Sequence, residues 1–294
     1  MRLRAGVRVL ELGGPPLLMG VVNATPDSFS DAGELPDREA RAARAAAHVA
    51  AGAAIVDVGG ESAVGGRPPV TAAEEIERVV PLIARIAAEH DVLISVDTHK
   101  PEVAEAAVAA GAGMVNDVSG LRDPALADVC ARTGAALVVM HTRVAPKGTL
   151  LDPGAYADVV EDVVGFLAER LAVARSRGVG EEQIVLDPGP DFAKTPAQTV
   201  AVLRRLDAVL ALGRPVLLAV SRKDFLGAIT GRPAPERGAA TLAAVGAGVD
   251  AGASIVRVHD VAAAADFLAV RAVLRGEREL APEEGLTPDR FPER

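Results

Sequence analysis

The chain has 294 residues, half of them hydrophobic and 24% charged, which is enough apolar material for a sizeable core and excludes a disordered chain. Forty acidic residues against 31 basic ones give a net charge of −9, and there is no Trp and one Tyr, so neither a basic field nor a stacking platform for nucleic acid is present. The single Cys130 has no internal partner, no run approaches the roughly 18 apolar residues of a membrane span, and residues 1–8 lack the apolar stretch of a secretory leader, so a cytoplasmic protein with no membrane or nucleic-acid partner is expected.

Eight short runs rich in Val, Ile and Leu follow one another along the chain, at 17–22, 55–58, 92–96, 114–118, 136–140, 184–186, 216–220 and 255–258. They lack clean alternation, as expected of parallel strands covered on both faces. Ala-rich stretches with helix punctuation lie between them. Thr71 with Glu74 is a capping box opening a helix over 72–89, Asp123-Pro124 opens the helix after the fourth run, and Thr195-Pro196-Ala197-Gln198 combines a cap, Pro at the first helical position and Gln at the third. Gly52, Gly111, Gly134, Gly178, Gly213, Gly252 and Gly276 stand where helices end, and Ala-Gly-Ala recurs ahead of strands at 51–53, 110–112 and 251–253. Eight β/α units joined by right-handed crossovers close into a (β/α)8 TIM barrel. An open doubly wound sheet is the alternative, but no G-x-G-x-x-G opens a helix after the first strand. Residues 1–279 read as one domain and 280–294, rich in Pro and acidic residues, as a flexible tail.

In a barrel of this kind chemistry sits where strands exit. The exits carry Asn23, Asp57 with Glu61, Asp97, Asn116 with Asp117, His141, Asp187, Ser221 with Lys223, and Arg257 with His259. Any one of them is an ordinary polar residue ending a strand; eight converging on one mouth make a site. Asp97, Asn116 and Asp187 are acceptors suited to a heterocycle rich in N–H donors, whereas Lys223, Arg257 and His259 suit an anion. His99, His141 and His259 fall near one predicted rim, but a metal cluster of the amidohydrolase kind wants His-x-His on the first strand, which ends in Asn23. His48 and His90 read as ordinary helix residues and Cys130 as core.

Met19-Gly-Val-Val-Asn23-Ala-Thr-Pro26-Asp27-Ser28-Phe29-Ser30-Asp31 resembles the first signature of the dihydropteroate synthases, and Asp57-Val-Gly59-Gly60-Glu61-Ser62 resembles the start of the second. Ser95-Val96-Asp97-Thr98-His99-Lys100-Pro101, Asn116-Asp117-Val118-Ser119-Gly120, Asp187-Pro188-Gly189, Phe192-Ala193-Lys194-Thr195, Ser221-Arg222-Lys223 and Arg257-Val258-His259-Asp260-Val261 match later blocks in order. The resemblance implies condensation of 6-hydroxymethyl-7,8-dihydropterin diphosphate with 4-aminobenzoate, releasing pyrophosphate with Mg²⁺ as cofactor and giving 7,8-dihydropteroate for folate. It implies a catalytic set of Asn23, Asp97, Lys223, Arg257 and His259. Asp97, Asn116, Asp187 and Lys223 would hold the pterin, and Phe192 and Ser221 would line the 4-aminobenzoate side. Asn23, Arg257 and His259 would meet the pyrophosphate, with Asn23 also placing the metal. A homodimer is implied too, and the Ala-rich stretch 239–251 is suited to close packing.

Three departures lie away from the pterin side. Ala63-Val64-Gly65-Gly66 stands where the family usually has Thr or Ser, Arg, Pro, Gly, so Val64 removes a cation. Removing one preorganised donor to developing charge costs on the order of 10²- to 10³-fold in rate. Arg67 reads as a solvated loop residue ahead of Pro68-Pro69, with replacement of the lost arginine as the alternative. Asp191 takes the place of a usual Gly, either solvated or set against the aminobenzoate carboxylate, and Thr142-Arg143-Val144-Ala145-Pro146-Lys147 replaces a stretch with Met and Gly. Two other readings remain open: a divergent paralogue that binds pterin with little or no synthase activity, and a pterin-binding methyltransferase module, which would not carry the Ser221-Arg222-Lys223 and Arg257-Val258-His259 anion half.

Overall fold

The computed structural model describes residues 1–24, 38–61 and 69–281. It begins with an element the apolar runs did not announce, an antiparallel hairpin of β1 (Arg2–Ala5) and β2 (Arg8–Glu11). Ala5 pairs with Arg8 across a two-residue turn, and Gly6 supplies the positive φ of 64° that such a turn needs. The hairpin is tied down by Gly6 N–H donating to the Gly134 carbonyl at 2.8 Å and by Arg4 donating to Gln183 at 2.7 Å.

The β/α alternation follows as read. In chain order come β3 (Leu17–Asn23), α1 (Arg38–Ala50), β4 (Ile55–Gly59), α2 (Ala72–Glu89), β5 (Leu93–Asp97), α3 (Pro101–Ala109), β6 (Met114–Asp117), α4 (Ala125–Thr133), β7 (Ala136–Met140) and α5 (Val159–Ser176). Then come β8 (Ile184–Asp187), α6 (Pro196–Arg204), α7 (Leu206–Leu210), β9 (Leu217–Leu218), α8 (Asp224–Thr230), α9 (Gly238–Asp250), β10 (Ile255–Val258) and α10 (Val261–Leu274). The parallel order is β8-β7-β6-β5-β4-β3-β10-β9, and a bridge between Leu186 and Val216 brings the two ends together, so the sheet is a nearly closed barrel rather than an open one.

The local signals are where the sequence put them. Thr71 accepts from Glu74 N–H while the Glu74 carboxylate accepts from Thr71 N–H, and Thr195 and Gln198 do the same at α6. All seven glycines expected past helix ends have positive φ. Two strands are shorter than read, for local reasons. β6 stops at Asp117 because that carboxylate turns to accept from Ser119 and Leu121 N–H, and β9 is reduced to two residues because the chain then turns to carry 221–223 across the mouth.

Each strand is apolar on both faces but for different reasons. Outward residues such as Val22, Val58, Val96 and Val139 pack under the helices. Inward residues Met19, Ile55, Leu93, Met114, Val185 and Ile255 form a second core that is completed by Leu3, Ala5 and Leu12 of the hairpin region, which plugs the barrel at the strand N-terminal ends. Leu3 is fully buried. Leu3→Ala should therefore lower stability by about 2 to 5 kcal/mol in urea denaturation, while leaving turnover of folded protein unchanged because the plug lies at the end opposite the mouth.

Candidate active site

The inward positions change character toward the strand C-termini. Met19, Val21 and Asn23 follow one another on β3, Ile55, Asp57 and Gly59 on β4, Leu93, Ser95 and Asp97 on β5, Val185 and Asp187 on β8, and Ile255 and Arg257 on β10. Strand register then assembles the mouth. Asn23 lies beside Gly59, Gly59 beside Asp97, and Asp97 beside Asn116, so three of the predicted residues share one row.

Arg257 crosses this mouth. Its Nε donates to Asp57 Oδ2 at 2.7 Å and its Nη2 to Asp97 Oδ2 at 2.8 Å, and Asn116 Nδ2 donates to the same Asp57 oxygen at 3.2 Å. Asp57 is fully buried, and its Oδ1 has no hydrogen-bond partner; the Ser95 hydroxyl beside it on β5 has none either. Burial pushes the Asp97 carboxyl up to about 7, because nearby Asp57, Glu75 and Asp117 add to desolvation and Arg257 only partly offsets it. Sequence reading put Asp57 at a strand exit without a role; the structure puts it at the floor of the mouth.

On the opposite side, Asp187 is buried at the end of β8 and accepts from Gly189 N–H at 2.7 Å. Burial raises its carboxyl above the ordinary range against the pull of Lys223, and burial lowers the Lys223 amine against Asp187 and Asp191. Lys223 Nζ donates to the Pro190 carbonyl at 2.5 Å and lies 4.5 Å from the centroid of the Phe192 ring, a cation–π contact. Phe192 faces a cavity whose other walls include Asp97, Thr98, His99 and Lys147.

Ser221 and His259 form a pair beside Arg257. The Ser221 hydroxyl accepts from His259 N–H at 3.2 Å and sits 2.9 Å from its Nδ1. Burial, with Arg257, Arg222 and Arg44 nearby, pushes the imidazole down to about 3, so His259 is neutral at physiological pH. The sequence suggested a cation at His259; in this setting its imidazole is an uncharged hydrogen-bonding group. His141 departs further from expectation. It is fully buried below the rim, with Nε2 3.0 Å from Asp162, Nδ1 2.7 Å from Lys194 Nζ and its ring edge-on to Phe166. Among the described residues, no group of three or more His, Cys, Asp or Glu side chains is arranged to hold a metal ion.

Residues 19–259 match the family model described as pterin binding enzyme. The dihydropteroate synthase of Bacillus subtilis (strain 168) is 44% identical over 246 residues, 83% of this chain and 84% of that protein. Two solved structures superpose closely: a Yersinia pestis dihydropteroate synthase with a sulfonamide drug complex (TM-score 0.89, 32% identity, 95% of this chain and 100% of that one), and a Xanthomonas albilineans dihydropteroate synthase with 4-aminobenzoic acid (TM-score 0.85, 42% identity, 94% and 99%). The chain belongs to the dihydropteroate synthases.

Within that family, the departures of this chain become concrete. Asp191 is half-buried and takes a positive φ of 63°, and its carboxylate accepts from Thr199 Oγ1 at 3.0 Å and from Phe225 N–H at 3.1 Å, bracing the loop after β8 against α6 and α8. The stretch after His141 delivers Arg143 to Asp162 and over the Tyr156 ring, and brings Lys147 to Glu61 at 2.5 Å. Glu61 also accepts from Lys100 at 2.5 Å, and Lys100 bridges on to Glu75. Burial opposes ionisation of Glu61, yet Lys100, Lys147 and Val70 N–H outweigh it and hold the carboxyl down at about 2. The motifs named Glu61 and Lys100, but nothing in their spacing announced Glu75 or Lys147 as partners from two other elements. Asp31, Ala63, Val64, Gly65, Gly66 and Arg67 lie outside the described residues.

His141 and His259 set an acid limit on this dihydropteroate synthase. Both imidazoles take a proton near 6.5 in the unfolded chain and only near 3 in the fold. Unfolding therefore takes up protons below pH 6.5, so their contribution to stability is complete above that pH and is lost as pH falls toward 3. His259→Asn should make the decline in urea midpoint between pH 6.5 and 4 shallower than in the unmodified protein; an unchanged slope would show that His259 titrates normally.

Proposed function

We propose that the mouth of the barrel joins 6-hydroxymethyl-7,8-dihydropterin diphosphate to 4-aminobenzoate, with one half of the site holding the pterin and the other the two anions. The observation that carries this reading is the floor of the mouth: Asp57, Asp97 and Asn116 are drawn together there by Arg257 and by one another, Asp187 is buried at the end of β8, and Asp57 Oδ1 is buried with no hydrogen-bond partner. A buried acceptor left unmatched is costly, and the N–H-rich edge of an aminopyrimidinone supplies the missing donors. Lys223 donates to the ring carbonyl from the Phe192 side.

The bond between the pterin methylene carbon and the diphosphate oxygen breaks first, its electron pair leaving with pyrophosphate. Arg257 and the neutral His259, steadied by Ser221, donate hydrogen bonds to the departing oxygens. The amine of 4-aminobenzoate then forms the C–N bond and gives up one proton. Phe192 forms the wall for its ring, and Ser221 meets its carboxylate. Mg²⁺ keeps much of its hydration and takes few protein oxygens in phosphate sites. Among the described residues no three acidic or His side chains converge as a metal cage, so Mg²⁺ would take Asn23 as a protein oxygen and would neutralise negative charge on the leaving group.

The competing reading, a paralogue that binds pterin without turnover, predicts the same pterin pocket. Identity spread over most of the chain and an intact Ser221, Lys223, Arg257 and His259 set favour the synthase, and that set also counts against a methyltransferase module. The cytoplasmic location is supported by the described helices, none of which is long and apolar enough to cross a membrane. Apolar Ile229 on α8 and Val270 and Leu274 on α10 are exposed, as a homodimer would require. Residues 1–279 are read as one domain built on the single barrel.

Two measurements test this function. Purified protein given the pterin diphosphate and Mg²⁺ should release pyrophosphate in a manner dependent on 4-aminobenzoate and form dihydropteroate; pterin binding without release would leave the paralogue. Because Asp97 must be ionised to accept paired N–H bonds and takes its proton at about 7, pterin affinity should rise with pH up to about 7 and level off above it. Asp97→Asn should flatten that profile and weaken binding by roughly tenfold or more, the worth of a hydrogen bond to a charged group.

A further inference from the structure

Among the described residues Lys194 has the largest of the fully buried side chains, and no step of the proposed chemistry uses it. A lysine is seldom buried unless its ammonium is fully paired. Here each N–H has an acceptor: the Gly189 carbonyl at 2.9 Å, the Phe192 carbonyl at 3.1 Å and His141 Nδ1 at 2.7 Å. Burial pushes the amine down to about 7 and the His141 imidazole down to about 3. His141 is thus neutral; with Nδ1 accepting from Lys194, its Nε2 carries the proton and donates to Asp162, which Arg143 holds from the other side.

The segment that Lys194 folds back upon is conformationally demanding. Gly189, Asp191 and Ala193 all have positive φ, at 65°, 63° and 52°, and two of the three carry a Cβ. Successive carbonyls are clamped by side chains: Gly189 and Phe192 by Lys194, Pro190 by Lys223, and Ala193 by the Tyr156 hydroxyl at 2.6 Å. Of these, only Lys194 grips the loop at both its entry and the residue that faces the cavity. Gly189 in turn donates to Asp187, and Phe192 lies against Lys223.

We propose that Lys194 is a positioning residue for the acceptor substrate: by holding the Gly189 and Phe192 carbonyls against a neutral His141, it fixes the Phe192 ring as the wall against which 4-aminobenzoate stacks. This rests on the reading of the Phe192 side as the 4-aminobenzoate side. Lys194 does not touch substrate, so its effect is transmitted through Phe192 and is seen in the affinity for one substrate. Asp57, Asp97, Asn116 and Arg257 come from other strands and hold most of the pterin pocket; Asp187 and Lys223 adjoin the clamped loop, so a small change in pterin affinity accompanies the larger one for 4-aminobenzoate.

Steady-state kinetics on the intact protein with Mg²⁺, together with direct titration of the pterin, test the proposal. Lys194→Met removes all three donors and should raise KM for 4-aminobenzoate at least tenfold, with pterin affinity changed less than threefold. Lys194→Gln keeps two donors for the two carbonyls and should restore KM to within about threefold of the unmodified protein, a rescue that loss of general stability does not produce. Phe192→Leu should raise the same KM, and adding Lys194→Met to it should raise it less than twofold further. An unchanged KM in Lys194→Met, equal loss for both substrates, or full additivity with Phe192→Leu would overturn the positioning role alone. An unchanged KM in Phe192→Leu would overturn the 4-aminobenzoate reading of this wall and the proposal with it. If neither Lys194 variant folds, the residue serves the fold and the proposal fails.

Discussion

The mouth of this barrel depends on one guanidinium. Arg257 joins Asp57 and Asp97, two carboxylates on adjacent inward strand positions that would otherwise repel each other in a buried setting. Each unpaired buried charge costs several kcal/mol, so without Arg257 the floor would have to take up protons or water. With it, Asp97 in the row with Asn116 and Asp57 one register step below them stand as acceptors before any ligand arrives. In the proposed reaction the same cation meets the departing diphosphate. On that reading the resting structure stores the anion-binding group against the groups that recognise the heterocycle. A guanidinium suits this because its planar fork can serve two oxygens at once and it never loses its charge.

The rest of the molecule makes such a concentration of charge tolerable. Below the polar row, the barrel axis is filled by Met19, Ile55, Leu93, Met114, Val185 and Ile255, sealed by the N-terminal hairpin. Outside, a second core runs continuously beneath the helices. Apolar packing on both faces of every strand holds the register, and register alone places Asn23, Asp97 and Asn116 side by side. A slip of one residue on β5 would turn Asp97 out toward the helices and Val96 into the mouth.

That double burial also decides what could be read from the sequence. Strands, helix caps, end glycines and the eight polar exits were legible because each rests on a local rule: a buried parallel strand is a short apolar run, a capping box spans four residues, and a strand exit is one position. Alternation looked absent because outward Val and Ile masked it. It is present on the inward side alone, where Ile55-Asp57-Gly59 and Leu93-Ser95-Asp97 pass from apolar to polar toward the mouth. The hairpin was missed because its four-residue strands carry no apolar run: Arg-Leu-Arg-Ala buries only Leu3 and Ala5, and Arg-Val-Leu-Glu buries none of its residues. Contacts between distant elements left no local signal at all. His141 stood at a strand exit like the others, yet it turns under the rim because Asp162 on α5 and Lys194 beyond β8 are there to pair with it. Asp191 looked like an intrusive charge because its partners, Thr199 and the Phe225 amide, lie 8 and 34 residues away.

These long-range pairings share one physical purpose. The loops after β7 and β8 carry Lys147 and Phe192 into the same cavity, and neither has secondary structure to hold it. Each is held by buried or half-buried polar side chains gripping carbonyls and carboxylates: Arg143 on Asp162, Tyr156 on Ala193, Lys194 on Gly189 and Phe192, Asp191 on the start of α8. Polar clamps of this kind are directional where apolar packing is not, so they can fix a ring or an ammonium to within a fraction of an ångström at the edge of a site that must admit two substrates in turn. The apolar core thus supplies the barrel and its register, while the polar network supplies the aim of the loops. A substitution in the first is expected to appear as lost stability, and one in the second as lost selectivity between the two substrates.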